Sequence, residues 1–214
     1  MTNTAHYSKR KVKKAYSKVW WFYDIWGYLT ESKTAKRVLE LASITDGESV
    51  LEIAVGTGKV FEQIVKENPN GRNEGLDISQ EMLERAKIRL NKYSNYTLKV
   101  GDAYRLSYDT NSFDVLINNY MFDLLPEEDF IRVLQEFGRV LKPNGRIIIS
   151  TMTYGRRWYN KIWDLIAKKT PSLLTGCRPI DLEERIKNVG FKNIKSEYIS
   201  QNTFPSKIVC AEKT

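Results

Sequence analysis

The chain has 214 residues, a formal net charge of +8 and 42% hydrophobic residues, which suits one domain with its own core. No apolar run approaches the roughly 18 residues of a membrane span. The N-terminal MTNTAHYSKRKVKKAYSK lacks the apolar stretch that follows the charges of a signal peptide, so a cytoplasmic protein is expected. Cys177 and Cys210 lie far apart and outside any CxxC pair, and His6 is the sole histidine. A disulfide framework, a zinc or other metal site and histidine-based catalysis are therefore disfavoured. The positive charge suits an anionic partner (nucleic acid, a membrane surface or an acidic substrate) and equally a basic surface that serves only solubility.

Residues 1–8 are polar. Six Lys and Arg residues lie between Lys9 and Lys18, and they lead into Trp20, Trp21, Phe22, Tyr23, Ile25, Trp26 and Tyr28. Three readings of this basic, aromatic stretch stand side by side. It is a lid over a ligand, an interfacial helix on anionic lipid, or a helix packed on the core. Residues 32–41 read as a helix with Ala35, Val38 and Leu39 on one side, and Thr45-Asp46-Gly47 as a turn.

The stretch VLEIAVGTGKVFEQI, residues 50–64, runs from a buried strand through a small-residue turn into a helix. Such a unit presents backbone N–H groups at a helix N-terminus and lets a ligand approach the main chain. Glu52 ends the strand. The next strand, residues 73–78, holds Asp77, about twenty residues beyond the turn, where nucleotide-binding α/β units place an acid on ribose hydroxyls. A nicotinamide fingerprint would want glycine at Phe61, which disfavours a dinucleotide dehydrogenase. The residues E-I-A-V-G-T-G and then G-L-D-I-S-Q-E-M-L resemble the first and second motifs of class I S-adenosylmethionine-dependent methyltransferases. Ala54 stands at the first glycine position of that motif, ahead of Gly56 and Gly58. The variant is similar to quinone-biosynthesis C-methyltransferases and some phospholipid N-methyltransferases. The likeness runs from about Tyr16 through LKPNGRIIIS to the C-terminus.

Ser79 reads as the N-cap of a helix to about Asn91. Residues 96–100 form a third strand ending in Gly101-Asp102-Ala103-Tyr104. Residues 113–119, FDVLINN, form a fourth, apolar enough for helices on both faces. Pro126-Glu127-Glu128-Asp129 opens a helix with a stripe of Phe130, Val133, Leu134, Phe137 and Leu141. Lys142-Pro143-Asn144-Gly145 is expected to end it before a strand over 146–152. Residues 154–179 are basic and aromatic. Asp181 caps a last helix ended by Gly190, and residues 191–200 and 207–212 alternate as a closing antiparallel pair.

The resemblance implies an α/β, doubly wound Rossmann-like seven-stranded sheet, mostly parallel with a C-terminal antiparallel strand. It implies a cap over residues 1–40 and a methyltransferase domain over 41–214, with 154–179 a substrate-cap insertion. The segment A-Y-S-K-x-x-x-x-Y-D, with Tyr16 and Tyr23, looks like the N-terminal cap of small-molecule methyltransferases. The cofactor implied is S-adenosyl-L-methionine. Glu52, Ala54, Gly56, Gly58 and Asp77 would hold it, Ile78 and Met82 would flank the adenosine, and Asp102 and Ala103 would take the adenine. Asn118 and Asn119 would take the methionine amine, without a choice between them. Tyr16, Tyr23, Tyr120, Phe122, Asp123 and Tyr154 are the candidate substrate residues.

The implied chemistry is SN2 methyl transfer, in which the protein mainly aligns donor and acceptor. Asp123, Tyr23 and Tyr154 are candidate helpers, and no residue is assigned as a base. The expected acceptor is small or lipid-like, a quinone precursor or a phospholipid amine, with peripheral contact to anionic membrane. A nucleic-acid substrate is disfavoured, because Asn118-Asn119-Tyr120-Met121 stands where base N-methylating enzymes carry Asn/Asp-Pro-Pro-aromatic. The alternative is a non-catalytic module that binds S-adenosylmethionine at a membrane surface or on a partner.

Overall fold

The computed structural model describes residues 29–169 and 177–214. Tyr16, Tyr23 and most of the expected 1–40 cap lie outside the described residues. The described chain runs α1 (Ser32–Ala42), β1 (Ser49–Ile53), α2 (Lys59–Glu67), β2 (Arg72–Asp77), α3 (Gln80–Arg89), β3 (Thr97–Val100) and β4 (Phe113–Asn119). It continues through α4 (Phe130–Val140), β5 (Leu141–Met152), α5 (Lys161–Lys169), α6 (Glu183–Asn188), β6 (Lys192–Gln201) and β7 (Phe204–Glu212). The seven strands take the order β3-β2-β1-β4-β5-β7-β6. β1 to β5 pair in parallel, and β7 runs antiparallel to both β5 and β6.

Alternation along the central strands divides the core into two layers. Val50, Val115, Ile117 and Ile148 face α1, α2 and α3 through Val38, Ala42, Phe61, Ile64 and Ala86. Leu51, Ile53, Leu116, Ile147 and Ile149 face α4 and α6 through Phe130, Phe137 and Ile186. Helices on both faces explain why β4 shows scarcely any polar residue before Asn118. The sheet order reverses between β1 and β4, so the crevice lies at their C-terminal ends.

Large and small residues are exchanged at the contact of α2 with the sheet. Phe61 is fully buried. A Cβ on Gly75 of β2 would lie 3.1 Å from the Phe61 ring and 2.6 Å from Leu98. The space that a glycine at position 61 would give is given by Gly75 instead.

One boundary differs from expectation. α4 ends at Val140, and Leu141 already pairs with Phe113. The register then shifts, so Val115 pairs with Arg146 and residues 142–145 bulge within β5. Asn144 has φ +62°, and a Cβ on Gly145 would lie 2.8 Å from the Lys142 carbonyl. The Lys142 ammonium, 2.8 Å from Asp114, holds the bulge to β4. A tight loop thus sits inside the ladder, where its turn residues suggested a simple break.

Candidate functional site

The glycine turn is built onto β2. The amides of Ala54 and Val55 both donate to the Leu76 carbonyl, at 2.8 and 3.2 Å. The next amide, of Gly56, donates to Asp77 Oδ2 at 2.8 Å. Ala54, Gly56 and Gly58 have φ of 62°, 57° and 79°. The left-handed region is routine for glycine and costs an alanine about 1–2 kcal/mol. A Cβ on Gly56 would meet nothing within 4 Å, so that face of the turn is open to a ligand. A Cβ on Gly58 would lie 3.0 Å from Ala86 Cβ, so this glycine lets α2 start against α3.

Asp77 is 7% exposed. Its Oδ1 accepts from the Ser79 amide at 2.9 Å, and Ser79 Oγ caps α3 by accepting from the Met82 amide at 3.4 Å. Burial raises the Asp77 carboxyl above its usual range, and these amides pull it back down. The amides of Ser79, Gly56 and Ile78 all act on this carboxylate, whose two oxygens still keep acceptor capacity for ribose-type hydroxyls. Ile78 is partly buried beside it, and Met82 is buried.

Asp102 follows β3 in a turn, where its Oδ1 accepts from the Tyr104 amide at 3.1 Å. Ala103 is buried in the α4-side core.

At the switch point the paired asparagines separate. Asn119 lies on the α1 side and spends both polar ends on neighbours. Its Nδ2 donates to Glu52 Oε1 at 3.3 Å, and its Oδ1 accepts from Ser150 at 2.7 Å. Asn118 points to the other face, as adjacent strand residues must. Its Nδ2 donates to the Ile53 carbonyl at 2.9 Å, and its buried Oδ1 has no partner. Glu52 is 2% exposed, and its Oε2 is likewise buried and unpartnered. Burial, helped by the charge of Asp77, pushes the Glu52 carboxyl up to about 8. Glu52 Oε2 and Asn118 Oδ1, both buried and unpartnered at the ends of β1 and β4, fit a ligand with a positive charge and N–H donors, toward which Glu52 accepts as the carboxylate. These two acceptors therefore fit the methionine end of S-adenosylmethionine.

Beyond Asn119 the chain turns at Tyr120, with φ 50°. Its hydroxyl lies 2.7 Å from Ser206 Oγ. Tyr120, Trp163, Ile166 and Cys177 pack on Met152 and Phe204. The described part of the expected 154–179 insertion therefore sits beside the C-terminal ends of β5 and β4. Buried Asn160 anchors it by donating to the Thr203 carbonyl at 2.6 Å.

Asp123 is 1% exposed, and its Oδ2 accepts from the Met152 amide at 2.7 Å. Burial, with the charge of Glu31, pushes its carboxyl up to about 8. Two expectations are corrected by the packing. Phe122 does not face a substrate: its ring is fully buried, 5.4 and 5.8 Å from the rings of Phe130 and Phe137. Tyr154 is 59% exposed on the surface and does not join the buried group.

Sequence reasoning missed Glu31 and Arg178. Glu31 precedes α1, and burial pushes it up to about 7 against the pull of Lys59 at the start of α2. It also acts on Tyr120 and Asp123 through its charge. Arg178 acts on Asp123 and donates to the Leu125 carbonyl at 2.6 Å. No motif marks either residue. Both reach the crevice from elements distant in sequence.

A family model described as a methyltransferase domain matches residues 50–145. A demethylmenaquinone methyltransferase of Lactobacillus johnsonii is 30% identical over 191 residues, covering 77% of this chain and 76% of that protein. The chain belongs to the class I S-adenosylmethionine-dependent methyltransferases. Within that family it is similar to the demethylmenaquinone methyltransferases. The Lactococcus lactis one is 36% identical over 129 residues, 59% of this chain. The match spans 47% of the Lactococcus lactis protein and 59% of a Thermotoga maritima one. A Haemonchus contortus phosphoethanolamine N-methyltransferase, bound to phosphomonomethylethanolamine and S-adenosylhomocysteine, shares the fold at 20% identity. Its TM-score is 0.67, over 85% of this chain and 52% of that one.

Proposed function

We propose that this chain transfers the methyl group of S-adenosylmethionine to a ring carbon of a lipid-like quinone precursor in its reduced form. The observation that carries this reading is the likeness to the Lactobacillus johnsonii protein over three quarters of both chains. S-adenosylmethionine, when bound, supplies a methyl group on a positively charged sulfur. The chain then has to bind, orient and exclude water, and orientation alone can provide about 7–11 kcal/mol of the barrier reduction.

In this reading the open side of Gly56 and the start of α2 accept the backbone of the cofactor. Asp77 takes the ribose hydroxyls. Asp102 accepts from the adenine amine, and the Ala103 amide donates to a ring nitrogen. Glu52 and Asn118 take the methionine ammonium, while Asn119 holds Glu52 in place. The acceptor enters on the side of Tyr120 and Asp123, beneath the 154–169 segment.

The same segment supports peripheral contact with an anionic membrane. Trp158 is 85% exposed, Ile162 55% and Leu165 50%, beside exposed Arg156, Arg157 and Lys161. Exposed apolar side chains among cations match an interfacial helix, with about 1 kcal/mol of attraction per basic residue near the surface. Vesicle sedimentation at low salt tests this contact, and equal recovery from neutral and anionic vesicles contradicts it.

The deciding experiment supplies methyl-labelled S-adenosylmethionine with reduced demethylmenaquinone or with phosphoethanolamine. Label in the ring product supports the proposal. Label on the amine instead assigns the acceptor class to nitrogen. Cofactor binding without transfer to any of a wide panel of acceptors favours the non-catalytic module.

A further inference from the structure

Two buried polar atoms on the acceptor side of the crevice lack partners. One is Asp123 Oδ1, on a residue 1% exposed whose other oxygen is held by the Met152 amide. The other is Arg178 Nη1. The remainder of that guanidinium is fixed, with Nη2 on the Leu125 carbonyl and the group 5.7 Å from the centre of the Phe130 ring. The two atoms do not bond each other. The guanidinium is nonetheless near enough to pull the Asp123 carboxyl down. Leaving a buried polar group unmet costs about 1–3 kcal/mol, and such groups are few in folded proteins.

The orphans are complementary. One accepts and one donates. A hydroxyl donates through its hydrogen and accepts on its oxygen, so one such group seated between them satisfies both. An amine methylated on nitrogen has no oxygen on its reacting atom for Arg178 to hold.

We propose that Asp123 and Arg178 are the acceptor-binding catalytic pair, with Asp123 Oδ1 taking the proton of a ring hydroxyl and Arg178 Nη1 holding the oxyanion that remains. This inference rests on the methyl-transfer reading above. The O–H bond breaks, the proton goes to the Asp123 carboxylate and the electron pair stays on oxygen. Delocalised to the neighbouring ring carbon, that pair forms the new C–CH₃ bond as the S–CH₃ bond breaks and sulfur keeps its electrons. The ring carbon then loses its hydrogen as a proton to solvent. Asp123 returns its proton to the oxygen, so the acceptor exchanges one ring hydrogen for one methyl.

Among the described residues the titratable and charged groups that act on Asp123 are Glu31 from the approach to α1 and Arg178. Tyr120, at the end of β4, is raised by burial and by the charges of Glu31 and Asp123. Burial and Glu31 hold the Asp123 carboxyl at about 8, so the carboxylate that takes the proton of a ring hydroxyl gains population as pH rises through that value.

The test uses the full chain with S-adenosylhomocysteine and 1-naphthol, whose anion absorbs at longer wavelength than the neutral form. Wild type should show the anion band once pH passes about 8, where Asp123 is ionised, and more strongly than 1-naphthol free in the same buffer. Asp123→Asn, which can keep the Met152 contact, and Arg178→Met should each lose it while binding S-adenosylhomocysteine as wild type does. In turnover, Asp123→Asn should lower kcat about 10²–10⁴-fold for an ordinary ring hydroxyl and recover most of it for an acceptor already ionised at the assay pH. No anion band in wild type, or equal losses with both acceptors, overturns the pair. An anion band without turnover overturns the methyl-transfer reading and leaves the binding pair standing.

Discussion

The Gly56 amide donates to Asp77 Oδ2 over 2.8 Å, which makes the turn after β1 and the carboxylate after β2 one unit. Removing the carboxylate therefore acts twice. Asp77→Ala should weaken S-adenosylmethionine by about 10- to 150-fold, the equivalent of 1.5–3 kcal/mol for hydrogen bonds to a charged group. It should also lower stability, by leaving the Gly56 and Ser79 amides without their acceptor. Calorimetric affinity and thermal unfolding measure the two effects, and unchanged affinity contradicts the ribose assignment.

Burial raises four carboxyls near the crevice above their usual range, Asp77 among them, with Glu52 and Asp123 at about 8 and Glu31 at about 7. The fold favours their protonated forms. Their contribution to stability is full below the ordinary carboxylate range, falls steadily as pH rises from there, and is gone above about 8. Thermal unfolding of the ligand-free protein should shift to lower temperature across that window, and Glu52→Gln should flatten part of the slope.

A cationic cofactor reverses the preference. Binding S-adenosylmethionine at neutral pH should ionise Glu52 and release protons. Calorimetry in two buffers of different ionisation enthalpy reads the release. Glu52→Gln should reduce it, and identical heats in both buffers would contradict the placement of the ammonium.

Ala54 holds φ 62° where glycine is freer. Ala54→Gly relieves about 1–2 kcal/mol of backbone strain and gives back about 0.4–1 kcal/mol through a looser unfolded chain. The net expectation is a small rise in stability with cofactor binding kept. Gly58→Ala should do the opposite, since it meets Ala86 at 3.0 Å with φ 79°. Urea midpoints compare the variants.

Gly75→Val should cost about 1–3 kcal/mol by overpacking, because its added atoms meet Leu98, Val55 and Phe61. Phe61→Leu in the same chain should recover part of the loss. No recovery would show that Leu98 and Val55 alone set the limit.

The central strands and the glycine turn were legible because their signals are local. Val50 to Ile53 and Phe113 to Ile117 are apolar runs closed by polar or small residues, and Ser79 is followed by a helical period. The bulge at residues 142–145 was not legible, since Pro-Asn-Gly marks a turn without saying that the strand continues around it. Phe122 was misread because a residue after a strand end can face the crevice or the core, and only its contacts with Phe130 and Phe137 decide. Glu31 and Arg178 carry no motif, and their place in the crevice is set by tertiary packing alone. The separate roles of Asn118 and Asn119 followed from strand alternation once β1 and β4 were seen to pair through Ile53 and Asn118.

Whether the crevice at the ends of β1, β2 and β4 holds the cofactor is decided by calorimetric titration of the purified chain with S-adenosylmethionine, S-adenosylhomocysteine and NAD. Micromolar binding of the first two and none of NAD is the predicted result. Absence of binding by both sulfur ligands would mean that the turn at Ala54 to Gly58 is purely structural, and would contradict a cofactor site built on Glu52, Gly56 and Asp77.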